Sequence, residues 1–361
     1  MNLTKKASNL MQEREYRSLS NISYSMIKKF LESRQSFYRE FILREPVDKK
    51  ESVSLVMGSL IDCLVTDREN FDNKFAVASC TEPKGQMKDL VDNLYKRTIK
   101  CLDENGGVSC SMSELLEQAI HDTKYDYNNN EIAFKGKTFE KIVEMFEADG
   151  LMYYTEKRNN YGKTIVTIGQ VEKAEQIANE LKSNPFTAEL INAKTEDTQE
   201  VFYQLAIVFK HNGIEMKSLI DKLIVNHEEG TIQPLDLKST WETDNFSYSY
   251  TYHGYYLQAA MYDMALRYWR KENDIENYKV LPMKFIVCDS AGYMSSVVYS
   301  LTREDIQNAE KGFSIRGKYY TGLQEAITDI AFNIESSRWN VSREAMQNNG
   351  QMVLDITYDK C

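Results

Sequence analysis

The sequence is poor in proline, with 5 among 361 residues, and nowhere carries an apolar run approaching the ~20 residues that a membrane-spanning helix needs. The first lack argues against a low-complexity or disordered chain, as does a hydrophobic share of 42%. The length suffices for one large domain or two smaller ones. The second lack argues against a helical membrane protein. The opening "MNLTKKASNLMQEREYRSLS" also has no apolar core of a signal peptide. Cysteine occurs at Cys63, Cys80, Cys101, Cys110, Cys288 and Cys361, but never as C-x-x-C. Without a signal, these read as reduced thiols, and the expected location is the cytosol.

A basic excess is missing too. The formal net charge is −10, which argues against a general nucleic-acid coat, since phosphate-binding domains are usually basic overall. The charge is unevenly spread, however. Residues 1–50 hold eleven Lys/Arg against six Asp/Glu, a balance of +5 that leaves −15 for the remainder. Such a chain can grip phosphates in one place and concentrate carboxylates in another.

Periodicity divides the chain in three. Residues 1–83 read as N-terminal helices. Within them "ISYSMIKKFLESRQSFYREFILR" (22–44) spaces Met26, Ile27, Phe30, Leu31, Tyr38, Phe41 and Ile42 helically, with Ser23 or Ser25 as N-cap. "VSLVMGSLIDCLVT" (53–66) is a second helix whose lone charge is Asp62. Residues 84–162 are polar and helix-rich, an insertion over the core. The core, 163–361, begins with a helical pair broken where Pro185 starts the second helix. The period then changes to two. "EVFYQLAIVFKHNGIEMKSLIDKLIVNHEEGTIQPLDLKST" is a three-stranded antiparallel meander punctuated by Asn212-Gly213 and "HEEG". A helix from about Tyr250 to Tyr268, a strand pair in "MKFIVCDSAGYMSSVVYSL" and a helix opening at Thr302 with Asp305 as capping-box partner complete it. This is an α/β core with a mixed sheet flanked by helices.

The meander carries the chemistry. In "PLDLKST", Asp236 and Lys238 are two apart and so share a face. If the preceding turn is centred between Glu228 and Glu229, opposed residues sum to 457 and Asp221 faces Asp236. Like charges at a cross-strand separation of ~4.5–5.5 Å destabilise a hairpin unless something sits between them, and a hard divalent cation is the natural occupant. On the next helix, Tyr255, Gln258 and Tyr262 follow at i−3, i and i+4, one face. Taken alone, the D-x-K pair reads first as a solvated surface ion pair and the helix face as ordinary amphipathic packing.

The order D…D-x-K…Q-x-x-x-Y resembles the core of the PD-(D/E)XK (restriction-endonuclease-like) nuclease superfamily, RecB-like branch, and within it the phage and prophage RecE-type exonucleases (exonuclease VIII). "ISYS" matches their helix start, and "GSLID" (Gly58 to Asp62) their "G-x-x-x-H" helix. "NPFTAELINAKTEDTQE" echoes an "HP" start before a Glu-led strand, and "DLKST" and "YYLQAAMY" complete the series. The resemblance covers most of the chain outside 84–160 and implies a single nuclease domain.

It further implies Mg²⁺ or Mn²⁺ held by Asp221, Asp236 and the Leu237 carbonyl, with Asp62 where the family has a histidine, and with Glu200 as an outer ligand. Lys238, Gln258 and Tyr262 complete the implied catalytic set. The iron–sulfur members bracket the core with one cysteine upstream and three downstream. Here only Cys288 and Cys361 follow the motif, so no cluster is expected. The implied activity is 5′→3′ digestion of double-stranded DNA ends to leave single-stranded tails, by a ring of identical subunits working with a single-strand annealing protein. Another DNase of this fold, or a non-catalytic DNA- or protein-binding module with a degenerate site, stays open. Asp62 favours the latter and Lys238 opposes it.

Overall fold

The structure, a computed structural model, describes residues 11, 13–45, 52–102 and 110–352. It divides into two compact units, Met1–Asp67 with Glu175–Cys361, and Arg68–Ala174.

The first unit is built on a mixed sheet. Strands β1 (Gln199–His211), β2 (Ile214–Asn226) and β3 (Thr231–Thr240) form the antiparallel meander. Strand β4 (Lys284–Asp289) runs parallel to β3, and β5 (Val297–Ser300) antiparallel to β4, so the order is β1-β2-β3-β4-β5. Asn212 and Gly213 both adopt positive φ (49° and 83°), the conformation of a tight primed hairpin turn. The second hairpin keeps the expected register, from Asn226–Thr231 to Lys222–Leu235.

The helices follow from apolar spacing and caps. Helix α1 (Tyr24–Glu32) buries Met26, Ile27 and Phe30. Ser23 is its N-cap by position, although its hydroxyl makes no capping bond. Helix α2 (Val53–Thr66) starts on Ser52, whose hydroxyl accepts from the Leu55 amide. Helix α3 (Tyr255–Glu272) is the parallel crossover between β3 and β4 and is buried without interruption from Tyr256 to Leu266. Such all-round burial marks a central helix, each large apolar side chain contributing about 1.5–3 kcal/mol. Its buried Asp263 is offset by Arg267 and Arg303. Helix α4 (Arg303–Lys311) opens with the expected Thr302–Asp305 capping box, and α5 (Leu323–Ser336) closes the core.

Three expectations need correction. The helix placed from about Tyr250 is two: Phe246–Tyr252, then α3. The break falls at Gly254, whose φ of 70° only glycine adopts cheaply. Pro185 does not start a helix. Asn184 accepts from the Phe186 amide in a turn, and the short helix begins at Ala188. The cysteines are not all thiols either: Cys101 and Cys110 are joined, with Cα atoms 5.9 Å apart. A spacing of nine gave no sign of this. The end of one helix and the start of the next bring the pair together. Cys361 lies outside the described residues.

The second unit packs helices Gln86–Lys100, Met112–Lys124, Phe139–Asp149 and Leu151–Asn159 around Leu90, Leu94, Ala119, Ile142 and Phe146, with a parallel strand pair, Phe75–Val77 and Thr164–Val166. Among the described residues no helix is long and apolar enough to cross a membrane.

Candidate active site

Strand β2 carries Asp221 and strand β3 carries Asp236 and Lys238. The β2–β3 ladder ends at Lys222–Leu235, so its next step sets Asp221 opposite Asp236. The two carboxyls interact directly, and burial first, then the charges of Asp236 and Asp62, push Asp221 well above the usual carboxylate range. Two buried carboxyls side by side cannot both ionise cheaply, so without a cation one keeps its proton.

Lys238 forms an ion pair with Asp236 Oδ2. The side chains are 17% and 0% exposed, which removes the surface-pair reading. Burial pulls the ammonium down, but Asp236 and Asp221 outweigh it and Lys238 ends above its ordinary value. Its Nζ lies 4.8 Å from the centroid of the Tyr255 ring. From α3, Gln258 Nε2 donates to Asp236 Oδ1 (2.6 Å) and to Tyr262 Oη (3.1 Å), while Tyr262 Oη donates to the Leu219 carbonyl (2.6 Å). The i, i+4 face is thus a clamp on Asp236, not apolar packing. Leu237, whose carbonyl belongs to the expected ligand set, lies between the two charged residues in register with Ile286.

Asp62 comes from α2. Gly58, one turn earlier, lets that helix approach β3: a Cβ there would stand 3.2 Å from Ser239 Oγ. Asp62 is within electrostatic reach of Asp221, and its Oδ2 accepts from Gln204 Nε2 (3.3 Å). It does not close a three-carboxylate cage. Among the described residues no three His, Cys, Asp or Glu side chains converge in that way. Glu200 stands apart: it is registered with Val225 and bonded to His227 Nε2 at 2.9 Å. Its distance along the strand from Asp221, already apparent in the hairpin count, takes it out of the site.

The donor set nevertheless fits a hard divalent cation. Asp236 Oδ2 is paired with the Lys238 ammonium, and Gln258 Oε1 is a buried oxygen with no hydrogen-bond donor. An unsatisfied buried oxygen beside a raised carboxyl is what a cation or an ordered water would satisfy. Mg²⁺ typically takes one or two carboxylates and keeps several waters, so a full protein cage is not required.

Gln204 escaped the reading of motifs. It sits mid-strand with φ +48°, opposite Asp221, where the β1–β2 ladder is interrupted between Tyr203–Lys222 and Leu205–Ile220. A turn centred on Asn212-Gly213 makes opposed residues sum to 425, so the same counting that faced Asp221 with Asp236 would have found Gln204. A left-handed non-glycine residue costs roughly 1–3 kcal/mol. Gln204→Gly is therefore expected to raise the melting temperature by about 2–4 °C. A fall instead would mean that the amide's hold on Asp62 outweighs the backbone cost.

The cluster opens on a cavity of about 580 Å³, whose wall includes Asp221, Gln258, Tyr262, Tyr24, Arg17 and Arg44. The "ISYS" stretch, Ser23 to Ser25, lines it as well. Lys217, also on the wall, is committed to the carbonyls of Tyr16 (2.9 Å) and Leu19 (2.8 Å).

No protein-family model matches the sequence, and no curated protein matches it. A solved structure from Eubacterium rectale bearing the name "Putative exonuclease" aligns over 97% of this chain and 96% of its own, with a TM-score of 0.45 and 12% identity.

Proposed function

We propose that this chain hydrolyses DNA phosphodiesters with a bound Mg²⁺ or Mn²⁺ ion, digesting double-stranded ends 5′→3′ to leave single-stranded tails. The observation that carries the reading is the buried cluster of Asp221, Asp236 and Lys238, clamped by Gln258 and Tyr262, beside a cavity lined by arginines. Asp221, Asp236 and the Leu237 carbonyl would hold the ion, with Asp62 acting from the second rank through Gln204. When bound, such an ion lowers the pKa of a coordinated water and neutralises charge on the scissile phosphate.

The chain's own residues supply the rest. Gln258 fixes Asp236 by one oxygen and leaves the other facing Lys238. Tyr262, anchored on the Leu219 carbonyl, fixes Gln258 in turn. Lys238, cationic at neutral pH, offsets the negative charge that develops on the phosphoryl oxygens. Arg17 and Arg44 bring positive charge to a cavity wall that also carries Glu40, and so offer contacts to a phosphate backbone despite the acidic whole. A ring of copies and a partner annealing protein belong to the same reading, as does a cytoplasmic setting.

The test is nucleotide release from linear and covalently closed duplex, with either end labelled, across Mg²⁺ and Mn²⁺ titrations. Release from the 5′ end of the linear form is expected, with the closed form resistant. Cleavage of closed circles would move the reading to an endonuclease. No release at any metal concentration would sink it in favour of a binding module.

A further inference from the structure

A line of aromatic rings leads from solvent to Lys238. Tyr248 and Tyr252, on the helix that follows the D-x-K strand, are 61% and 67% exposed and stack on each other at 5.4 Å with their planes 16° apart. Tyr252 meets His253 edge-on at 5.0 Å, His253 meets Tyr255 at 5.4 Å, and Tyr255 carries the Lys238 ammonium on its face. Exposed large aromatics standing singly need no explanation. Two stacked in water at the head of a ring series ending on a buried lysine do.

The surroundings narrow the occupant. Lys28 and Lys238 are close enough to His253 to hold its imidazole down, after burial has done most of it. Tyr24, a wall of the arginine-lined cavity, donates to the His253 carbonyl (2.9 Å), so the ring series borders that cavity. Aromatic faces beside cationic groups are how proteins hold an unpaired nucleic-acid strand: rings stack on bases, and cations track phosphates. Base pairs within a duplex keep their faces covered and cannot use such rings.

The geometry points to a stacking platform at Tyr248 and Tyr252 that holds unpaired bases of a nucleic-acid strand next to the catalytic cluster. It rests on the nuclease reading for what the strand is doing there, but not for its binding. At the end of a duplex, the platform would capture bases once they unpair and keep them from re-annealing.

The experiment is binding of fluorescent single-stranded DNA to the full chain in chelator, where no hydrolysis occurs, followed by anisotropy. Stacking of one base on one ring corresponds to about 5- to 150-fold in affinity. Tyr248→Ala with Tyr252→Ala should therefore weaken binding at least about tenfold. Tyr→Phe at both positions should keep it, and on the parent an abasic strand should lose as much as the double alanine variant does. Tyr127→Ala, which removes an exposed tyrosine of the other unit, should change nothing.

The platform is overturned if the parent fails to bind single strands, if the double alanine variant or the abasic strand binds as the normal pair does, or if Tyr127→Ala is equally damaging. It is overturned too if the phenylalanine variants fail, since the hydroxyls would then be the contact. Stacking in chelator, with no nucleotide release from duplex at any Mg²⁺ or Mn²⁺ concentration, would refute the nuclease reading and leave the platform standing. Release with unchanged binding in the variants would do the reverse.

Discussion

Lys238→Ala is expected to lower turnover on linear duplex by about 10²-fold or more, the usual cost of removing a preorganised charge from a developing oxyanion. The lysine is not replaceable by solvent, because the site is buried and Tyr255 covers the ammonium. Lys238→Arg should recover only part of the activity, since a planar fork does not occupy the space of a compact ammonium. Loss of the lysine also strips Asp236 Oδ2 of its counter-charge, and breaking a buried pair costs about 3–5 kcal/mol. The alanine variant should therefore melt lower in chelator and recover with Mg²⁺ or Mn²⁺, which separates a folding defect from a catalytic one. Activity within a few-fold of the parent, under metal that restores the melting temperature, would mean that the D-x-K face is structural.

Much of this site was legible because β-hairpins are arithmetic. Once Asn212-Gly213 and "HEEG" are taken as turns, period two fixes which side chains oppose one another, and the register of both hairpins follows. The clamp from α3 was legible as a face but not as a contact. Whether Gln258 packs or bonds depends on how the crossover helix lies on the sheet, which local spacing does not encode. Asp62 shows the same limit. Its position as the lone charge on α2 was plain, but its partner, Gln204, sits 142 residues away and is presented by a strained backbone with no propensity signal. The break at Gly254 was misread because the polar, tyrosine-rich run before it continues a helical period through a residue whose positive φ ends the helix. The Cys101–Cys110 link was invisible for a different reason: pairing depends on where two helix ends meet, not on a motif.

Asp221→Asn should stabilise the metal-free protein at neutral pH and remove its response to metal. The sign follows from linkage. Burial and the neighbouring carboxylates hold the folded-state pKa of Asp221 well above its ordinary value near 3.8, so across that window the folded protein binds the proton that the unfolded chain has released. Stability from this group is complete below the unfolded value and is lost as pH rises through the folded one. In chelator the parent's melting temperature should thus decline from about pH 4 upward. Asparagine keeps the shape, carries no charge and does not titrate, so the variant should escape that decline and melt higher than the parent at pH 7. Divalent metal reverses the order. An ion that binds only the folded parent at a hundred times its Kd contributes about 2.7 kcal/mol, on the order of 5 °C in a chain of this size. The variant, short of one carboxylate, gains little. The measurement is a melting curve at several pH values for both proteins, in chelator and in excess Mg²⁺ or Mn²⁺. If the two pH profiles in chelator run parallel, Asp221 is not the group that keeps the proton. If the parent is also indifferent to metal, the carboxylate pair is a buried structural dyad and not a cation site.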